Sequence, residues 1–147
     1  MFVSETVSAG PVPAARSAVA PAAAGRDTVL LVEDEAALHP LLAQVFERRH
    51  RRVLLATNAE SALVLFDAHR DSIAAALVDC HLPDMQGAEL CRRLRAAAPG
   101  VPLLLTSGRD QRPLASALAR SGPTRFQPKP YLPSELAGGI DQLLGAA

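Results

Sequence analysis

The 147-residue sequence has no tryptophan, and aromatic residues make up only 3% of it. Its core must therefore come from leucine, valine and alanine, which an apolar content of 49% supplies in ordinary amount. Net charge is missing too: fifteen basic and fifteen acidic residues cancel. Without a basic footprint, neither nucleic acid nor an anionic membrane surface is the expected partner. No apolar run approaches the roughly 18 residues of a membrane span, and no basic stretch followed by an apolar one marks a signal peptide. A cytoplasmic protein is expected. Only two cysteines occur, Cys80 and Cys91, without metal-ligand spacing. They read as reduced thiols, with a disulfide between them left open. Lysine is almost absent: Lys129 is the single lysine, and the other fourteen of the fifteen basic residues are arginine.

What the chain does contain begins with a tail. Residues 1–27 are rich in Ala, Pro, Ser and Gly, and no periodicity survives the prolines, so they are expected to be disordered. From residue 28 to 147 strands and helices alternate. Val29-Leu-Leu-Val is a short apolar strand that runs into Glu33, Asp34 and Glu35. Leu38, Leu41, Leu42, Val45 and Phe46 then recur at helical spacing, with Pro40 in the first turn and His39 expected on the exposed side. Residues 51–56 form a second strand, and Thr57 with Glu60 fits a capping box that opens a helix carrying Ala62, Leu63, Leu65 and Phe66 inward. Residues 73–78 are a third strand ending on Asp79. A helix over 87–98 follows, closed by Pro99-Gly100. Residues 102–107 are a fourth strand ending in Thr106 and Ser107. A helix over 113–120 is stopped by Gly122. Residues 124–127 are a fifth strand, and 134–144 the last helix. The run Arg48-Arg-His-Arg-Arg52 is expected to be chiefly a solvated face. Five such βα units predict an α/β fold, a (βα)5 doubly wound parallel five-stranded sheet of flavodoxin-like order.

In such a sheet, function gathers at the carboxyl ends of the strands. Those ends present Glu33 and Asp34, then Asp79, then Thr106 and Ser107, then Lys129. Clustered carboxylates repel one another unless a cation intervenes. All-oxygen donors suit a hard ion, Mg²⁺ or Mn²⁺ in its place, together with phosphate oxygens. An Asp carboxylate can itself attack phosphorus to form an acyl phosphate, with a hydroxyl and an ammonium on the remaining oxygens. A chain that otherwise chooses arginine keeps a lysine where a compact point charge serves.

From about Thr28 to Leu144 the chain resembles the receiver domain of two-component response regulators, the CheY-like fold. The matching motifs are Glu33-Asp34, Asp79 with Leu82-Pro83-Asp84-Met85-Gln86-Gly87, Ser107-Gly108 and Lys129-Pro130-Tyr131. The resemblance implies that Asp79 accepts a phosphoryl group from a sensor histidine kinase or a histidine phosphotransfer protein. It implies that Asp34 ligates the metal directly, Glu33 through water and His81 through its backbone carbonyl. Ser107 would bind the phosphoryl group, with Thr106 as the alternative hydroxyl, Lys129 would pair with it, and Phe126 would be the switch aromatic. Output would pass to a downstream protein or a second copy through the face of the fourth helix, fifth strand and last helix, with no direct contact to nucleic acid or membrane. With three residues after Leu144, a single-domain regulator, a phosphoacceptor rather than an enzyme, is expected.

Departures from the pattern are modest. Glu33 replaces the commoner Asp, and Ser107 the commoner Thr. His81 and Arg109, each two residues past a site residue, occupy positions that in receivers tune the lifetime of the acyl phosphate. A phosphohydrolase of the haloacid dehalogenase type would share the aspartyl phosphate, but its Asp-x-Asp motif fails here because His81 holds the second position. A receiver fold that binds without phosphorylation is the other competing class. Cys80 reads as a packing residue, and Glu35 as a helix-start charge.

Overall fold

In the computed structural model, which describes residues 26–145, the first apolar run forms β1 (Thr28–Val32). A single 3-10 turn (Ala36–Leu38) leads into α1 (His39–Glu47). There follow β2 (Arg52–Ala56), α2 (Ala59–Ala68), β3 (Ile73–Asp79) and α3 (Gly87–Ala97), then β4 (Leu103–Ser107), α4 (Arg112–Leu118), β5 (Thr124–Pro128) and α5 (Pro133–Leu143). The strands pair in parallel in the order β2-β1-β3-β4-β5. This is the (βα)5 doubly wound architecture. Residues 1–25, the bulk of the expected tail, and 146–147 lie outside the described residues.

A sheet covered on both faces needs strands that are apolar throughout, because successive side chains point to opposite sides. The seven residues of β3 are all buried. On one face Leu30, Val32, Val78, Leu103 and Leu105 pack against Leu65 and Phe66 of α2 and Leu90 and Leu94 of α3. On the other, Val29, Leu31, Leu77 and Leu104 meet Leu42 and Phe46 of α1 and Leu136 and Ile140 of α5. Burying each such side chain contributes about 1.5–3 kcal/mol. No helix among the described residues is long and apolar enough to cross a membrane. Cys80 and Cys91 are buried free thiols, and burial raises them to about 11 and about 12, respectively, so they stay protonated packing groups.

Several local expectations are corrected. The buried stripe of α1 is His39, Leu42, Ala43 and Phe46, while Leu41 is exposed. The cap of α2 is Asn58, whose Oδ1 accepts from Ser61 N at 2.7 Å, one residue later than the Thr57 box. Gly122 does not end α4 in a left-handed turn. It is small because an added Cβ would lie 2.9 Å from the Arg95 guanidinium carbon and from Gly100 Cα. Arg95 itself is buried and donates to Val101 O, Leu118 O, Ser121 Oγ, Pro123 O and Thr124 Oγ1, tying α3 to the turn between α4 and β5. Nor is the arginine run merely solvated: Arg49 and Arg51 both pair with Asp141 of α5. At Gly87, an added Cβ would sit 2.5 Å from Cys80 Cα, so glycine lets α3 start directly against the end of β3.

Candidate functional site

The parallel sheet stops β1 and β3 side by side, and the acids that follow each strand therefore meet. One carboxylate oxygen each from Glu33, Asp34 and Asp79 lies within 4.8 Å of the others. Glu33 and Asp79 are both 1% exposed, whereas Asp34 faces solvent. The Asp79 carboxylate is held at both oxygens. Oδ1 accepts from His81 N at 2.9 Å, and Oδ2 lies 3.1 Å from Lys129 Nζ. Burial opposes the Lys129 charge, yet the hydrogen bond to Asp79 and the charges of Glu33, Asp79 and Asp34 hold its pKa above the ordinary lysine value.

Glu33 feels the crowding most. Burial pushes its pKa up to about 7, and Asp79 pushes the same way against a hydrogen bond from Glu35 N at 3.0 Å. Its second oxygen, Oε1, is buried without a hydrogen-bond partner among the described residues. A half-satisfied buried carboxylate beside two more acids is costly unless a cation completes it. The donor set, three carboxylates and nearby carbonyls, fits a hard divalent ion such as Mg²⁺.

The backbone of this corner is itself anchored. Glu33 N donates to Ala56 O of β2 at 3.0 Å, and its carbonyl lies 2.7 Å from His39 Nε2. His39 is buried, contrary to the exposed position expected of it. The signal was in the sequence, since 39, 42, 43 and 46 share one helical stripe. Asp84, a turn residue in the sequence, accepts the N–H groups of Ala59 and Glu60 at the start of α2, at 2.9 and 3.0 Å. Nothing in the local pattern reports a bond across so long a stretch of chain.

The remaining residues stand around this centre. Ser107 ends β4, its Oγ accepting from Arg109 N at 3.0 Å and its carbonyl from Lys129 N at 2.9 Å. Thr106 pairs with Asp79 in the β3–β4 register, and its hydroxyl is buried with no partner among the described residues. Phe126 is half-buried opposite Leu105 and lines a cavity of about 350 Å³ with Arg109 and Arg112, away from the acids. His81 and Arg109 are exposed and line, with Asp34, Cys80 and Leu114, a cavity of about 600 Å³ beside the acids. Tyr131 is raised to about 12, first by burial and then by Glu33 and Asp79. Glu35 is exposed, its N–H serving Glu33.

Comparison with known proteins bears on the family and the fold. The profile of the response regulator receiver domain matches residues 29–141. The sensory transduction protein RegX3 of Mycobacterium tuberculosis is 32% identical over 117 residues, 80% of this chain and 50% of that protein. The transcriptional regulatory protein CreB of Escherichia coli is 30% identical over 120 residues, 81% of this chain and 51% of that protein. Among solved structures, a CheY-like response regulator receiver domain protein from Methanospirillum hungatei superposes with a TM-score of 0.72 at 25% identity, over 82% of this chain and 95% of that one. The chain spans about half the length of the curated relatives it matches.

Proposed function

Since the chain belongs to the response regulator receiver domain family, we propose that it is a Mg²⁺-dependent phosphorylation switch whose acceptor is Asp79. The observation that carries the proposal is the Asp79 carboxylate, buried at the end of the central strand and held between the His81 N–H and the Lys129 ammonium beside two further acids. One Asp79 oxygen attacks the phosphorus of a phosphohistidine on a sensor kinase or phosphotransfer protein. An O–P bond forms, the P–N bond breaks, and the imidazole leaves with the electron pair.

Asp34, Asp79 and the His81 carbonyl would hold the metal, with Glu33 acting through water. When bound, Mg²⁺ neutralises charge on the phosphoryl oxygens. Lys129 pairs with the same group, since its ammonium already lies against the acceptor. Ser107 is favoured as the hydroxyl that follows the phosphoryl group. It is the last residue of β4, and its carbonyl is joined to Lys129 N. Turning its Oγ toward the phosphoryl group releases Arg109 N and the loop before α4. Phe126 then moves into the space beside that loop. The exchange shifts a two-state equilibrium on the α4–β5–α5 face, where a downstream protein or a second copy docks.

The proposal is tested by incubating the protein with acetyl phosphate and Mg²⁺ and measuring intact mass. Wild type gains one phosphoryl group, and Asp79→Asn gains none. No Mg²⁺-dependent adduct in wild type would leave a binding module of receiver fold.

A further inference from the structure

The loop between β3 and α3 is fastened at three points. At its neck Gly87 N donates to Cys80 O at 3.1 Å, and His81 pairs with Gln86 in antiparallel fashion. On the side of the acids, His81 N donates to Asp79 Oδ1. At its tip the Asp84 carboxylate takes both Ala59 N and Glu60 N, one on each oxygen. Those two amides belong to the first turn of α2, where helical N–H groups have no partner within the helix and an anion also suits the helix dipole. The two bonds, with the Ala59 amide bond the larger influence, hold the Asp84 carboxyl below the ordinary aspartate value.

These contacts close a ring around the acidic cluster. Glu33 N is bonded to Ala56 O at the end of β2, three residues before Ala59. Ala59 N is bonded to Asp84, three residues after His81. His81 N is bonded to Asp79, whose carboxylate meets that of Glu33. Asp84 is the side chain that joins the start of α2, just after β2, to the loop that follows β3. Without it, the loop keeps its neck but loses its outer support, and the bond from the His81 amide to Asp79 is held by the neck alone.

We propose that Asp84 is a positioning residue for the metal and phosphoryl site, setting through the β3–α3 loop the placement of Asp79 and His81 against Glu33 and Asp34. The inference rests on the receiver reading of that site. The plain alternative is that Asp84 caps α2 and does nothing more. Asn58 provides the matched control, because its Oδ1 caps the same helix end through Ser61 N, a bond within α2 rather than one to the loop.

Mg²⁺ affinity by calorimetry, the initial rate of phosphorylation by acetyl phosphate, and thermal stability are measured for wild type, Asp84→Ala, Asp84→Asn and Asn58→Ala. Both alanine variants lower the melting temperature by a few degrees. Asp84→Ala weakens Mg²⁺ binding by about tenfold, the scale on which groups that orient metal ligands act, and slows phosphorylation in step. Asn58→Ala leaves both unchanged. Asp84→Asn, which retains one acceptor oxygen, falls between, and it decides the matter should Asp84→Ala not fold. Equal Mg²⁺ affinity and rate in the Asp84 and Asn58 variants would overturn the inference and leave Asp84 a helix cap. Failure of wild type itself to bind Mg²⁺ or form an adduct would overturn the receiver reading first, and this inference with it.

Discussion

Lys129 Nζ lies 3.1 Å from Asp79 Oδ2 across a gap of fifty residues in sequence, and Lys129 N donates at the same time to Ser107 O. The one lysine of the chain thus joins the ends of β3, β4 and β5. Lys129→Met should lower the initial rate of adduct formation from acetyl phosphate about a hundredfold, the low end of what removing one preorganised donor costs. Lys129→Arg should not restore it, because the guanidinium is planar and longer. A rate within twofold of wild type in Lys129→Met would remove Lys129 from the site.

The two hydroxyls of β4 separate by stability and by switching. Thr106 Oγ1 is buried without a partner among the described residues, and a buried unsatisfied hydroxyl costs about 1–3 kcal/mol. Thr106→Val should therefore stabilise the protein by about 1 kcal/mol in chemical denaturation and leave phosphorylation-dependent NMR shifts on α4 and β5 intact. Ser107→Ala should still accept the phosphoryl group but abolish those shifts. The reverse pattern would assign the role to Thr106.

Arg95 supports the same face from behind. It is 6% exposed and, among the described residues, makes five hydrogen bonds with no carboxylate among its partners, the shortest being 2.6 Å to Leu118 O and to Pro123 O. Arg95→Ala leaves several buried acceptors unpaired and should cost about 3 kcal/mol of unfolding free energy. Arg95→Lys should recover little, since one ammonium cannot span the same set. Mg²⁺ affinity should be unchanged in both. A loss below about 1 kcal/mol would show that water replaces the guanidinium without penalty.

Asp141 gives a pH-dependent prediction. Burial works against its charge, but the hydrogen bonds from Arg51 and Arg49 outweigh that and hold its carboxyl below the ordinary 3.8. A carboxyl depressed on folding adds stability above its unfolded pKa and loses it as pH falls through the folded value. Asp141→Asn should thus melt lower than wild type at neutral pH, by about 0.5–1 kcal/mol for a pair this exposed. The gap should close below about pH 3.8. A difference that persists unchanged at pH 3 would mean that packing, not the ion pairs, carries it.

The sheet and the acid cluster were legible because both are one-dimensional signals. Apolar runs mark the buried parallel strands, and a charge at the end of such a run, as at Glu33 and Asp79, falls at the carboxyl end of the sheet. His39 was expected on the exposed side because it is polar, although it falls in line with Leu42 and Phe46, which the expected apolar stripe already contained. The capping box at Thr57 failed by one residue because Asn58, equally able to cap, stands next to it. The contacts of Asp84 and Arg95 were not legible. Four of their partners, Ala59 N, Glu60 N, Leu118 O and Pro123 O, are backbone groups from 23 to 28 residues away, and a backbone partner leaves no mark in a sequence.

The central claim is that Asp79 forms the acyl phosphate. Acyl phosphates are reduced by borohydride, which turns a phosphorylated aspartate into homoserine. Treating the acetyl phosphate-reacted protein with borohydride and sequencing its peptides by tandem mass spectrometry should place homoserine at position 79, only when Mg²⁺ was present. Homoserine at 34, a reduced glutamate at 33, or no reduced residue at all would contradict the account.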